Sequence, residues 1–219
     1  MAFEYSNFIS YRREAQRNKF IKEFCACFNT TTFDVTNLKE HFLDSEEITG
    51  SPNFGERIYE AIRKSYFFSV FHTFHYLNEE NPWCAKELKY ALDVEECRRQ
   101  KLEEKDKAYF YSLNLFILSG TDKDLPDKIS NRNALPISCY QYSIKNRTKA
   151  ITEFFNRLYD FMMGVYKIYQ RYPHVDFVAC CDEVAKPDDN EIKEWIREQK
   201  KIIAQKEAER PPILFKNGE

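Results

Sequence analysis

Trp83 and Glu87 stand four residues apart in the run Trp83-Cys84-Ala85-Lys86-Glu87-Leu88, directly after Pro82. A proline is tolerated in a first helical turn, and on a helix the two residues share one face, stacked about one turn apart. An apolar stretch, Phe67-Phe68-Ser69-Val70-Phe71, leads into the run through the polar turn Asn78-Glu79-Glu80-Asn81. The pair is therefore expected just past a strand's carboxyl end, where open α/β sheets bind their ligands. An ionised carboxylate there can stabilise positive charge as it develops in a transition state. The plainer use of the same spacing is packing, with Trp83 in the core and Glu87 facing Lys86 or Lys89 at the surface.

A second group, Tyr11-Arg12-Arg13, ends the β-prone run that starts at Phe3. A guanidinium offers a planar fork to phosphate oxygens or stacks on a purine, and Tyr11 or Trp83 offers an aromatic face. Taken alone, Arg12 and Arg13 are ordinary surface charge paired with Glu14. The seven cysteines, Cys25, Cys27, Cys84, Cys97, Cys139, Cys180 and Cys181, are odd in number and form no CxxC pair. Free, mostly buried thiols in a reducing compartment fit them better than a disulfide frame or a zinc site. His41, His72, His75 and His174 make no HExxH set, and no metal is expected. With five glycines the chain holds neither GxGxxG nor a P-loop, which disfavours a dinucleotide dehydrogenase or an NTPase.

A chain of 219 residues accommodates one α/β domain with an appendage, and 43% hydrophobic with 16% aromatic residues indicates a packed globule. The net charge of −2 gives no general attraction to nucleic acid or to anionic membrane. The start, Met1-Ala2-Phe3-Glu4-Tyr5, lacks a secretory signal, and no segment has the length to span a bilayer. A cytoplasmic protein with neither nucleic-acid nor membrane partner is expected.

The elements that must position these groups follow from periodicity. Phe3 to Tyr11 reads as a buried first strand, and Phe20, Ile21, Phe24, Cys25 and Phe28 recur at helical spacing over Ala15 to Phe28. Thr30 to Val35 and His41 to Leu43 each have strand character, and the second is favoured for the sheet. After the polar loop Ser45 to Asn53, the pattern predicts a short helix from Phe54 to Lys64, a third strand from Tyr66 and the helix from Pro82. The charge run Glu95 to Lys107 is read as a solvated helix end. Phe110 to Leu118 and Leu135 to Tyr140 supply two further strands, and Thr148 to Arg171 a long helix. Val175 to Cys181 has the character of one extra strand. The densely charged helix from Glu191 to about Arg210 has only a narrow apolar stripe, which needs either its own domain or another subunit to cover it. Strands alternating with helices predict a doubly wound parallel sheet over residues 1–172, with a mainly helical C-terminal extension over 173–219.

Phe8-Ile9-Ser10-Tyr11-Arg12-Arg13, Phe42-Leu43-Asp44, Ala61-Ile62-Arg63-Lys64-Ser65 and Trp83-Cys84-Ala85-Lys86-Glu87-Leu88 come in the order, and at the spacing, that resembles a TIR domain across about residues 3–165. The resemblance implies a flavodoxin-like sheet of about five strands. TIR domains divide into scaffolds that bind other TIR domains and enzymes that cleave NAD at the nicotinamide–ribose bond. The second branch, which includes Thoeris-like antiphage enzymes and the animal NAD hydrolase of axon degeneration, carries a glutamate in a WxxxE spacing. Here that is Glu87, with Trp83 in place. By the same resemblance Tyr11, Arg12 and Arg13 contact the adenosine and phosphates of NAD, Ser10 and Trp83 belong to the same substrate-binding set, Asp44 borders the site, and the chain assembles with copies of itself.

Such an enzyme uses NAD as substrate and needs no cofactor. Most glycoside hydrolysis takes two carboxylates. Nicotinamide departs from a cationic pyridinium as a neutral molecule, so no general acid is needed and one carboxylate near the ribose suffices. Water then gives ADP-ribose, and another acceptor gives a cyclic or conjugated nucleotide that signals to a separate effector. The competing expectation is a non-catalytic adapter acting through the Ser45 to Asn53 loop and the charged tail. A phosphorelay receiver is disfavoured, because it places acidic residues where Arg12 and Arg13 stand.

Overall fold

The computed structural model describes residues 2–12, 15–38, 41–43, 53–119, 125–126, 129, 134–137 and 148–208. Five parallel strands form one sheet in the order β2-β1-β3-β4-β5: β1 (Tyr5–Tyr11), β2 (His41–Leu43), β3 (Ser65–His72), β4 (Leu113–Ile117) and β5 (Ala134–Pro136). Helices α1 (Ala15–Thr36), α2 (Phe54–Arg63), α3 (Trp83–Gln100), the single turn α4 (Glu104–Lys107), α5 (Lys149–Arg171) and α6 (Asp189–Ala208) surround it. This is the flavodoxin-like doubly wound architecture, with a helical C-terminal part.

Strands β1, β3 and β4 read as near-continuous apolar runs because both faces of a parallel sheet are covered. Phe8, Phe68, Val70, Leu113 and Leu115 face α2 and α3, where Ile58, Ile62, Ala85, Leu88 and Leu92 complete one core. Ile9, Phe67, Phe71 and Phe116 face α1 and α5, where Phe24, Phe28, Leu158 and Met162 complete the other.

Three local expectations are corrected. Thr30 to Val35 is helix, not strand, so α1 runs on to Thr36. Its threonines satisfy themselves within the helix, Thr32 Oγ1 donating to the Phe28 and Asn29 carbonyls and Thr36 Oγ1 to the Thr32 carbonyl. Asn37, at φ 58, ends the helix in the left-handed conformation that asparagine tolerates. The charge run after Leu92 is no solvated end. Glu95 and Arg98 are fully buried, and Asp106 of α4 nearly so. Glu95 accepts from Ser112 Oγ and from the Leu113 amide at the start of β4, at 3.2 and 2.9 Å. Arg98 donates to the carbonyls of Arg63, Ser65 and Phe177 and to the Tyr169 hydroxyl. Finally, Val175 to Cys181 adds no strand; it turns into a 3-10 helix over Ala179–Cys181.

The stripe of α6 finds its cover within the chain. Ile192, Trp195 and Ile196 enter the core shared by α2 and α3. Asp188 caps α6, its Oδ1 accepting from the Asn190 and Glu191 amides at 2.7 and 2.8 Å. No helix is long and apolar enough to cross a membrane among the described residues.

Candidate active site at the carboxyl edge of the sheet

Strand pairing sets Ser10 beside Val70 and Tyr11 beside Phe71, so β1 and β3 end together at the point where the winding of the sheet reverses. Alternation then separates the two β1 residues. Ser10 turns toward α3, whereas the Tyr11 ring is buried in the opposite core with Ile9, Phe71 and Phe116.

The Ser10 hydroxyl donates to Glu87 Oε2 in a short hydrogen bond, and its oxygen lies 2.6 Å from the Tyr76 hydroxyl. A serine has one proton to give, and Glu87 takes it. Tyr76 must therefore be the donor to Ser10, which makes the chain Tyr76 to Ser10 to Glu87 run one way. The chain of hydroxyls thus ends on the Glu87 carboxylate. The site is closed: Glu87 is 3% exposed, Ser10 2% and Tyr76 0%. Burial, followed by the electrostatic influence of Cys84 and Glu87 nearby, raises the Tyr76 hydroxyl well above its ordinary range, against a smaller opposing effect of the Ser10 bond. Tyr59 of α2 behaves likewise, pushed up to about 12 by burial and then by Glu87.

Around this chain, Arg12 Nη1 donates to the His75 carbonyl at 2.8 Å, tying the end of β1 to the loop after β3. Thr73, first residue past β3, is buried, and its hydroxyl has no hydrogen-bond partner among the described residues. Trp83 sits a turn before Glu87 but packs on α2. Its ring meets Phe54 edge-on at 5.0 Å, and Lys86 Nζ lies 4.7 Å over it. A Cβ added at Gly55 would come within 3.0 Å of the Trp83 ring, so the close approach of the two helices uses a glycine there.

Of the residues singled out from sequence, Ser10 and Glu87 are brought into contact, Arg12 lies at the same edge, Trp83 braces α2, and the Tyr11 ring faces away. Arg13 and Asp44 lie outside the described residues. Tyr76 was not singled out; its only signal was its place between β3 and the polar turn that precedes the helix of Glu87.

An all-parallel sheet with hydroxyls and one buried carboxylate gathered at its switch point defines a flavodoxin-like α/β fold with a polar site at its ligand-binding edge. Residues 8–103 match the family model described as TIR domain. The match begins within β1 and runs through α3, so it contains Ser10, Tyr76 and Glu87. No curated protein matches the chain.

Proposed function

We propose that the chain cleaves NAD at the nicotinamide–ribose bond, with Glu87 as the catalytic carboxylate. The observation that carries this reading is the bond from Ser10 to a buried Glu87 at the carboxyl end of β1. As nicotinamide leaves, positive charge grows on the ribose C1′ and its ring oxygen. A carboxylate pinned by Ser10 and Tyr76, and shielded from water, stabilises that charge more strongly than one in solvent. No proton need be supplied, since the leaving group departs neutral. Arg12, with Arg13 beside it in sequence, supplies the cations for the pyrophosphate, and Asp44 borders the ribose.

Glu87 is nearly inaccessible with its wall closed, so substrate entry requires that wall to part. We expect assembly of several copies to favour the open form, and activity to rise with protein concentration. The product is ADP-ribose or a cyclic or conjugated form of it, passed in the cytoplasm to a separate effector in antiphage signalling.

Mass spectrometry of the small molecules formed from NAD by wild type and Glu87→Gln tests the reading. Loss of the charge is expected to lower kcat by about 100- to 1,000-fold, the scale set by removing one stabilising group from a preorganised site. Equal consumption by both proteins sinks the proposal. So does intact NAD with concentrated wild type, which points instead to an adapter whose partner binding is lost in Ile48→Asp.

A further inference from the structure

Three thiols meet near the C-terminal end of α3. Cys97 of α3 and Cys180 and Cys181 of the 3-10 turn bring their sulfurs within 4.8 Å of one another, with Cys180 and Cys181 at 3.6 Å. Cys97 donates to the Cys180 carbonyl at 3.0 Å, and Cys181 to the carbonyls of Val94 and Phe177 at 3.7 and 3.6 Å. Cys97 and Cys180 are partly exposed, so the cluster has a side open to solvent, while Cys181 is buried.

We infer that Cys97, Cys180 and Cys181 form a binding site for a thiophilic d10 cation, of which Zn²⁺ is the representative. Sulfurs placed about 2.3 Å from one zinc ion stand about 3.8 Å apart. The spacing here meets that with adjustments of about 1 Å or less, whereas a disulfide would draw two sulfurs to about 2.05 Å. Binding one Zn²⁺ releases the three thiol protons to water and leaves a Zn(S-Cys)3 unit of charge −1, with one coordination position for solvent.

That negative charge has its counterpart in the Arg98 guanidinium. Arg98 is fully buried, and its hydrogen-bond partners among the described residues are all neutral: three carbonyls and a tyrosine hydroxyl. One of those carbonyls, Phe177, it shares with Cys181. A buried guanidinium without a carboxylate is costly unless an anion lies near. The thiolate unit supplies that anion. The ligands come from elements 83 residues apart, which is why the spacing of cysteines in the sequence shows no zinc pattern.

The test uses the full chain, reduced and stripped of metal, with Zn²⁺ and Co²⁺ as probes. Wild type is expected to take up about one equivalent of Zn²⁺ with a rise in Tm. With Co²⁺ it should show the thiolate charge-transfer band and the d–d bands of a four-coordinate ion. Cys97→Ser and Cys180→Ser should each weaken binding at least about a hundredfold, the upper end of what loss of even an outer-shell partner costs. Cys25→Ser, on α1, should leave binding unchanged. Circular dichroism of each variant separates loss of a ligand from loss of the fold. No uptake by reduced wild type, or uptake undiminished in the Cys97→Ser/Cys180→Ser double variant, overturns the inference. A Cys97–Cys180 disulfide in air-purified protein that takes up no Zn²⁺ after reduction overturns it in favour of a redox pair.

Discussion

At the scale of single residues, the hydroxyl of Tyr76 separates a site from a packing contact. It is fully buried and reaches Glu87 only through Ser10, so it positions rather than reacts. Tyr76→Phe keeps the ring and deletes one hydrogen bond, which should cost about 1 kcal/mol of stability. With the Ser10 oxygen left without its donor, the hydroxyl can swing from Glu87. The proposed NAD cleavage should therefore fall by about tenfold in kcat, about 1.4 kcal/mol on the barrier, with KM unchanged. A Tyr76→Phe protein that is destabilised yet keeps full kcat shows that the hydroxyl serves only the fold. Glu87 and Ser10 were legible in the sequence, because a strand end and a helix start fix which residues reach the edge. Tyr76 was not, since a loop residue carries no periodicity. The inward turn of the Tyr11 ring follows from strand alternation, once Ser10 is known to face α3.

At the scale of elements, the start of β2 is secured through a histidine that the fold keeps neutral. His41 Nε2 lies 2.9 Å from Thr32 Oγ1, whose own proton goes to α1 carbonyls. The ring must therefore donate from Nε2, and its Nδ1 has no partner among the described residues. Burial accordingly lowers His41 from 6.5 to about 4. A depressed pKa means that the unfolded chain binds the proton more tightly. The stability tied to His41 is thus fully present above pH 6.5, begins to fall below it, and is lost by about pH 4. The ring keeps some exposure, so the shift corresponds to no more than about 3 kcal/mol. Urea unfolding at pH 7.5, 5.5 and 4.5 should show this loss in wild type and a shallower one in His41→Gln; parallel slopes refute it. The helices and strands with clean periodicity, such as α2 and β3, were legible. The end of α1 was not, because threonines read as strand until their hydroxyls find helix carbonyls. Nor was the burial of Glu95 and Arg98, since charge in sequence reads as solvated unless one knows which backbone groups it must satisfy.

At the scale of the whole molecule, the C-terminal segment is joined to the sheet domain along three lines. Its apolar stripe enters the α2–α3 core, its turn meets Arg98 and Cys97, and its charges pair across: Asp189 with Lys86, Asp182 with Arg63, and Arg197 with Glu79 at 2.8 Å. The exposed pairs each contribute little. Ile192 and Ile196 are fully buried and Trp195 nearly so. At about 1.5–3 kcal/mol for each such side chain, the stripe is comparable to the 5–15 kcal/mol that holds an ordinary domain together. The sequence split into 1–172 and 173–219 follows a change of composition, which does not report on shared burial. We therefore expect one cooperative unfolding transition for the full chain. Ile196→Ala should lower its stability by about 2–5 kcal/mol, and Lys201→Ala by less than about 0.5. Tryptophan fluorescence serves as the probe, because Trp83 reports on the α2–α3 contact and Trp195 on α6. Trp195→Phe and Trp83→Phe, each leaving one reporter, should give the same midpoint as far-ultraviolet circular dichroism on the same variant. An earlier midpoint for Trp195, with Trp83 still native, would show α6 unfolding on its own and would separate the extension from the domain.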